Sequence, residues 1–166
     1  GGRFQFDLPG EYYGEAYELQ FGNLPGRALF FAEKGNVQVR GHVDSLFFSR
    51  ASGTRGNDEW QSYQRFTKLL SEKRENAMFA PEMREASEEE QIARRKVIMQ
   101  EYEEELLRFQ DKLAGDGNSL ATLYSYWKRY LNMDADEIYS VLKKFDQQLA
   151  GNRYYLDMKN RAETLT

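Results

Sequence analysis

Residues 117–151 read GNSLATLYSYWKRYLNMDADEIYSVLKKFDQQLAG and carry the clearest fold signal in the chain. Ser119 precedes apolar residues at helical spacing, so it is placed to cap a first helix. After a short break, Asp134 and Glu137 form a capping box, which marks the start of a second helix. Gly151 ends the pattern, as glycine does after many helices. The stretch therefore predicts two short helices joined by a tight turn.

A long helix is predicted before this pair, and a closing helix after it. Ser87 and Glu90 form another capping box, and Gly115 ends the long helix, which covers about 87–113. Its apolar side chains recur with heptad-like spacing at Ile92, Met99, Tyr102, Leu106, Phe109 and Leu113. A C-terminal cap helix is predicted at about 153–163.

The N-terminal part of the chain has two interpretations. In the first, helices form hairpins at about 9–36 and 37–78. In the second, Ala28–Glu33 and Val37–His42 are the strands of a β-hairpin around Lys34–Asn36, because aromatic and β-branched residues are frequent there. The helical interpretation is favoured by the spacing of four apolar residues, Val39, Val43, Leu46 and Phe47.

Together these segments predict an all-α fold of seven to eight helices. A chain of 166 residues can bury a core of its own, so we expect 1–166 to form a single all-helical domain. The hairpins at about 9–36, 37–78 and 119–151 would stack on one another as a degenerate α-solenoid, because no single pair can bury its own apolar face.

The composition excludes several classes of function. The chain has no cysteine and a single histidine, His42, so it lacks the parts of disulfides, thiolate sites and the usual zinc sites. Acidic residues outnumber basic ones by 27 to 23, which argues against a general nucleic-acid-binding surface. No apolar run is long enough to span a bilayer. The sequence therefore predicts a soluble intracellular protein that does not insert into membranes.

No motif for catalysis, cofactor binding or metal binding is complete. Gly115-Asp-Gly117 lacks the strand and the third glycine of a dinucleotide-binding loop. Asp134-Ala-Asp136 is similar to the start of a calcium loop, but Tyr139 and Phe145 stand where that loop needs glycine and glutamate. His42 lies near valines on a predicted helix, where a lone histidine is usually structural. We therefore expect no enzyme, no cofactor and no metal; an active site built from scattered carboxylates is the third-ranked alternative.

The opening stretch resembles a pentatricopeptide repeat. Thr122–Tyr126 stand where that family has the core of its first helix, and Asp136-Glu-Ile138 with the later Phe145 stand where it has Asp-Glu-Ala and a Met or Phe. The segment Ala28–Gly35 is similar to the end of such a repeat. The family usually binds single-stranded RNA, but its base-reading position falls at or next to Ala121, which cannot hydrogen-bond a base edge. The resemblance implies a scaffold that contacts protein, with single-stranded RNA binding as the alternative.

The chain as a whole resembles the small repeat-containing subunits that euglenozoans add to the outside of the catalytic head of mitochondrial ATP synthase. The resemblance rests on chain size, on seven or eight helices and on three degenerate repeats. Gly1-Gly2, without Met, fits either the remnant of an expression tag or a terminus left after removal of a presequence. The resemblance implies a non-catalytic subunit without a nucleotide site, bound to a catalytic-head subunit in the mitochondrial matrix.

The candidate protein interface is a partly exposed aromatic patch with basic residues beside it. It consists of Tyr126, Tyr130, Lys128 and Arg129. Tyrosine and arginine are enriched in protein interfaces because they combine a large contact area with hydrogen-bonding groups. We expect subunits of a larger protein complex to bind here.

Overall fold

The computed structural model describes residues 2–166, so Gly1 of the Gly1-Gly2 terminus lies outside the described residues. Over these residues the chain is 59% helical, with six α-helices and two antiparallel sheets of two strands each. The prediction of an all-α stack of seven to eight helices is therefore wrong. Strands and 3₁₀ segments, in place of α-helices, lie where the hairpin at 9–36 and the first part of the hairpin at 37–78 were predicted.

Within residues 2–166, four strands are followed by six α-helices. The strands are β1 (Glu15–Leu19), β2 (Ala28–Ala32), β3 (Gln38–Arg40) and β4 (Arg50–Ser52). The helices are α1 (Arg55–Met78), α2 (Pro81–Glu85), α3 (Glu88–Ala114), α4 (Leu120–Trp127), α5 (Ala135–Leu142) and α6 (Arg153–Leu165). Short 3₁₀ segments lie at Gly10–Tyr12, Val43–Phe48 and Tyr130–Asn132.

The strand interpretation located two segments correctly but paired them wrongly. β2 pairs with β1, with Ala16 opposite Phe31, and β3 pairs with β4, with Arg40 opposite Arg50. The segments around the Lys34–Asn36 turn therefore belong to two different sheets. Both pairs are antiparallel, and each partner strand lies outside the hairpin that local sequence suggested.

The helical spacing that favoured an α-helix after Gly35 belongs to a strand and a 3₁₀ segment instead. Val39 lies in β3, and the segment Val43–Phe48 is interrupted at Ser45, whose φ of −151° and ψ of 50° are not helical. Of this segment only Leu46 is buried. The periodicity therefore does not describe one buried face, which is the assumption behind helical prediction from spacing.

The helices that begin at the capping boxes of Ser87 and Asp134 are confirmed. At the start of α3 the N–H of Glu90 donates to Ser87 Oγ at 3.3 Å, and the N–H of Ser87 donates to Glu90 Oε2 at 3.2 Å. Asp134 and Glu137 make the same exchange at the start of α5. The bounds of α3 and α6 agree with the predicted long and closing helices. α5 is shorter than predicted, because residues 143–150 form turns and a bend.

One compact unit combines the chain up to Gln61 with Ala114–Thr166. Its main core packs α4, α5 and α6 with Phe31 of β2, and a smaller cluster contains Phe30, Ala32 and Ala51. Successive strand residues face opposite sides, so β2 contributes to both clusters. This two-sided burial accounts for the uninterrupted apolar run of β2.

The other compact unit comprises Ser62–Leu113. In it, Phe66 of α1 stacks on Phe109 of α3 with ring centroids 4.0 Å apart. The guanidinium carbon of Arg74 lies 4.5 Å from the ring centroid of Tyr102. No helix in the described part of the chain is long and apolar enough to cross a bilayer.

Candidate functional site

Tyr126, which the sequence places in a partly exposed aromatic patch, lies in the core. It is 1% exposed, and its ring centroid is 6.3 Å from that of Phe145. The guanidinium carbon of the half-buried Arg129 lies 5.4 Å from the Tyr126 ring centroid. Every residue of α4 from Leu120 to Tyr126 is buried, so no face of this part of the helix is left for a partner. The predicted exposure of Tyr126 is therefore wrong.

The other predicted interface residues border a group of stacked rings. Lys128 is exposed, and its ammonium nitrogen lies 5.9 Å from the ring centroid of Tyr124 and 6.0 Å from that of Trp60. Tyr130 is half-buried and stacks on Trp127, with centroids 6.1 Å apart and planes 15° apart. Binding of a partner by Lys128, Arg129 and Tyr130 stays a prediction.

The stacked rings join α4 to α6. The ring centroid of Trp127 lies 4.8 Å from that of Tyr154, and Trp127 Nε1–H donates to Asp157 Oδ2 at 3.0 Å. Burial raises the pKa of Tyr124 to about 12, and burial also raises the pKa of Tyr154. Both phenols therefore keep their protons at neutral pH. The contacts of this group fit a role in packing the two helices together.

A second surface exposes three large apolar side chains close together in sequence. The segment between β3 and β4 carries Val43, Phe47 and Phe48, which are 58%, 78% and 67% exposed. The two phenyl rings contact each other edge to face, with centroids 5.6 Å apart and planes 85° apart. We call these three side chains the tip, and residues 38–52 that carry them the phenylalanine hairpin.

The backbone of the phenylalanine hairpin is held by several local contacts. His42 Nδ1 accepts a hydrogen bond from the N–H of Asp44 at 3.3 Å, and so caps the segment. Arg50 Nη1 donates to the carbonyl oxygens of Phe48 and Ser49, both at 3.2 Å. On the inner side, Ala51 is buried in the smaller apolar cluster. The tip is therefore presented by a backbone with defined hydrogen bonds.

The sequence prediction missed the tip because it assigned Phe47 to the apolar face of a helix. Exposure depends on which residues pack against a segment, and spacing alone does not give it. A signal was present nonetheless: the run Leu46-Phe47-Phe48 is flanked by Asp44-Ser45 and by Ser49, residues more typical of a turn than of a helix interior.

Two open grooves lie in the same compact unit as the hairpin. The larger, about 690 Å³, is lined by Leu131, Met133, Asp134, Asp136 and Leu165 among others. The smaller, about 460 Å³, is lined by residues of α5 and α6 and by the turn between them. Among the described residues, no group of three or more His, Cys, Asp or Glu side chains is placed to hold a metal ion.

No protein-family model, no curated protein and no solved structure matches this chain. The resemblances to pentatricopeptide repeats and to an ATP synthase subunit therefore stay predictions.

Proposed function

We propose that the chain is a non-catalytic structural subunit that docks on a partner protein through the tip of the phenylalanine hairpin. The observation that carries this proposal is the exposure of Val43, Phe47 and Phe48 within one six-residue segment. Single exposed apolar residues are normal on protein surfaces, whereas contiguous ones mark interaction sites. Aromatic anchors of this kind supply most of the binding free energy in many interfaces.

The geometry of the hairpin supports the proposal. Burying apolar surface is favourable by about 25 cal/mol per Å² removed from water. Association also costs free energy when loops and side chains become ordered, and a backbone that is already held reduces that cost. The hydrogen bonds of Arg50 and His42 hold the backbone of the tip in this way.

The specific partner that we propose is a subunit of the catalytic head of mitochondrial ATP synthase, in the mitochondrial matrix. This part of the proposal comes from the sequence resemblance. Strands and 3₁₀ segments lie where the hairpin at 9–36 and the first part of the hairpin at 37–78 were predicted, so the repeat-based support for this partner now rests on the helical pair α4–α5. The proposed docking role does not depend on which protein the partner is.

Native purification of the tagged full-length chain from cells that produce it, with mass spectrometry of the co-purifying chains, tests the proposal. We expect the wild type to elute with partner subunits, catalytic-head subunits of ATP synthase among them. The double variant Phe47→Ser with Phe48→Ser should lose about 2 kcal/mol or more of binding free energy, which is about thirtyfold in affinity.

Phe79→Ser provides the matched control, because Phe79 is 70% exposed but lies in the other compact unit. It should elute as the wild type does. Recovery of the wild type only as a free monomer contradicts the docking role. Recovery with other partners contradicts the ATP synthase assignment and leaves the docking role standing.

A further inference from the structure

We infer that the partner presents an acidic, apolar segment of protein to the hairpin, with its carboxylates on Arg40 and Arg50. This inference rests on the proposed docking function and adds the chemistry of the partner. Arg40 and Arg50 lie directly opposite each other in the β3–β4 pair. Side chains that face each other across an antiparallel pair have Cβ atoms about 5 Å apart, and like charges there are destabilising.

Both arginines lie on the outer face of the hairpin. Strand residues alternate between faces, and the neighbouring pair, Val39 opposite Ala51, packs in the smaller apolar cluster. Arg40 and Arg50 therefore project from the opposite face. The bonds from Arg50 Nη1 to the carbonyl oxygens of Phe48 and Ser49 place one of the two charges beside the tip.

Neither arginine is neutralised by a carboxylate within residues 2–166. Arg40 donates only to Gln38 Oε1 at 3.5 Å, and Arg50 donates only to backbone carbonyls. Some other arginines of the same compact unit do have acidic partners. Arg55 bonds Asp116 and Glu59, and Arg27 bonds Glu18. The two facing arginines therefore carry positive charge that carboxylates of a partner can neutralise.

Carboxylates are the ligands that suit this arrangement. Guanidinium groups bind carboxylates with two parallel hydrogen bonds, and two adjacent guanidinium groups can share one carboxylate or take one each. Because Arg50 lies beside Phe48, the partner needs acidic and apolar side chains next to each other. An acidic amphipathic segment has that pattern.

A protein fits this surface better than an anionic bilayer or a nucleic acid. The side chain of Asp44 is 85% exposed and lies between Val43 and Phe47 in sequence, within the segment that would be buried. Lipid surfaces and nucleic acids present phosphates throughout and would repel this carboxylate, whereas a protein segment can direct its carboxylates to Arg40 and Arg50 alone. A protein partner can place a polar or basic side chain opposite Asp44.

The test measures binding of the full-length chain to defined fluorescent probes by anisotropy. The acidic probe is a synthetic peptide that alternates Glu with Leu and Phe, and the basic probe has Lys in place of each Glu. We expect the acidic probe to bind with an affinity that falls as salt rises, and the basic probe to bind at least about tenfold more weakly.

Variants assign the binding to the two arginines. Arg40→Gln with Arg50→Gln should weaken the acidic probe about tenfold at low salt. Arg40→Gln alone should also weaken binding of the acidic probe. Because this variant leaves the hydrogen bonds of Arg50 in place, a distorted loop cannot explain its effect. Arg65→Gln with Arg108→Gln, at exposed positions of the other unit, removes the same charge and should have no effect.

Four results would overturn the inference: equal binding of the two peptides, no effect of the arginine variants, no binding of the acidic probe at about 1 mM, or tighter arginine-dependent binding of oligouridylate or phosphatidylglycerol vesicles. The outcome for the docking function is separate. If native assembly is lost in the phenylalanine variant but kept in the arginine variant, docking stands and the acidic-partner inference fails. If neither variant releases the chain from its assembly, the docking function and the acidic-partner inference both fail.

Discussion

The side chain of Asn57 supplies to β2 the hydrogen bonds that another strand would give. Asn57 Oδ1 accepts from the N–H of Phe31 at 2.8 Å, and Asn57 Nδ2 donates to the carbonyl oxygen of Phe31 at 2.9 Å. Opposite Phe31, the N–H of Ala16 donates to Tyr154 Oη at 2.7 Å. Side chains therefore provide hydrogen-bond partners for backbone groups on both edges of the sheet, at Ala16 and at Phe31. This lets a two-stranded sheet lie in a core.

Replacing Asn57 with alanine should destabilise the fold strongly. Asn57 is 1% exposed and Phe31 is 0% exposed, so the variant leaves two backbone groups buried without partners. Each such group costs about 1–3 kcal/mol, so we expect the free energy of unfolding to fall by about 3 kcal/mol or more in urea titrations. Asn76→Ala, at an exposed position of the same helix, is the control. A change under about 0.5 kcal/mol for Asn57→Ala would show that these bonds do not stabilise the fold.

Asp116 should make the stability of the fold depend on acid pH. Hydrogen bonds from Arg55, and then from the N–H of Asn118, lower the pKa of Asp116 to about 2 from an ordinary value of 3.8. A lowered folded-state pKa stabilises the fold above the unfolded-state value, and this contribution is lost as pH falls from about 4 to about 2. Thermal melting of the wild type and of Asp116→Asn should therefore differ near neutral pH and converge toward about pH 2. A difference in melting temperature that is constant over this range would argue against the Arg55 contact.

At the scale of elements, capping boxes located two helices correctly, whereas helical spacing alone predicted helices wrongly in the N-terminal part of the chain. The capping boxes at Ser87 and Asp134 act within four residues, so sequence alone shows where those helices begin. A strand is stabilised by a partner that local sequence does not specify. β2 pairs with β1, which precedes it, and the Lys34–Asn36 turn that suggested a hairpin does not join paired strands.

The close approach of strand ends in the phenylalanine hairpin can be tested at Gly41. A Cβ at this position would lie 2.9 Å from Ser49 Cβ and closer still to Ser49 Oγ. Gly41→Ala should therefore displace the backbone that carries Phe47 and Phe48 and destabilise the hairpin by about 1–3 kcal/mol.

Hydrogen exchange should be faster at the amides of β3 and β4 in Gly41→Ala than in the wild type. Gly151→Ala, which has no neighbour within 4 Å of the added carbon, should leave the exchange unchanged; equal behaviour of the two variants would contradict the close approach.

At the scale of the whole molecule, the candidate site was the part that sequence predicted least. Lys128 and Tyr130 reach the surface, as expected, but Tyr126 is covered, because α4 is buried around its circumference. Helical periodicity assumes that one face meets solvent, and a helix enclosed in a core violates that assumption. The tip was missed for the converse reason, since Phe47 and Phe48 are apolar residues that no other element covers.

Photo-cross-linking from the tip tests the docking role most directly. Benzoylphenylalanine would replace Phe47 in the full-length chain, and the native assembly would be irradiated and digested for mass spectrometry. We expect cross-links from this position to one segment of a partner protein, rich in acidic and apolar residues, and none from the same probe at Phe79, which is similarly exposed. Cross-links from the probe at position 79 but not from the probe at position 47 would contradict the docking role. An assembly in which the probe at position 47 reacts with no partner chain would contradict it as well.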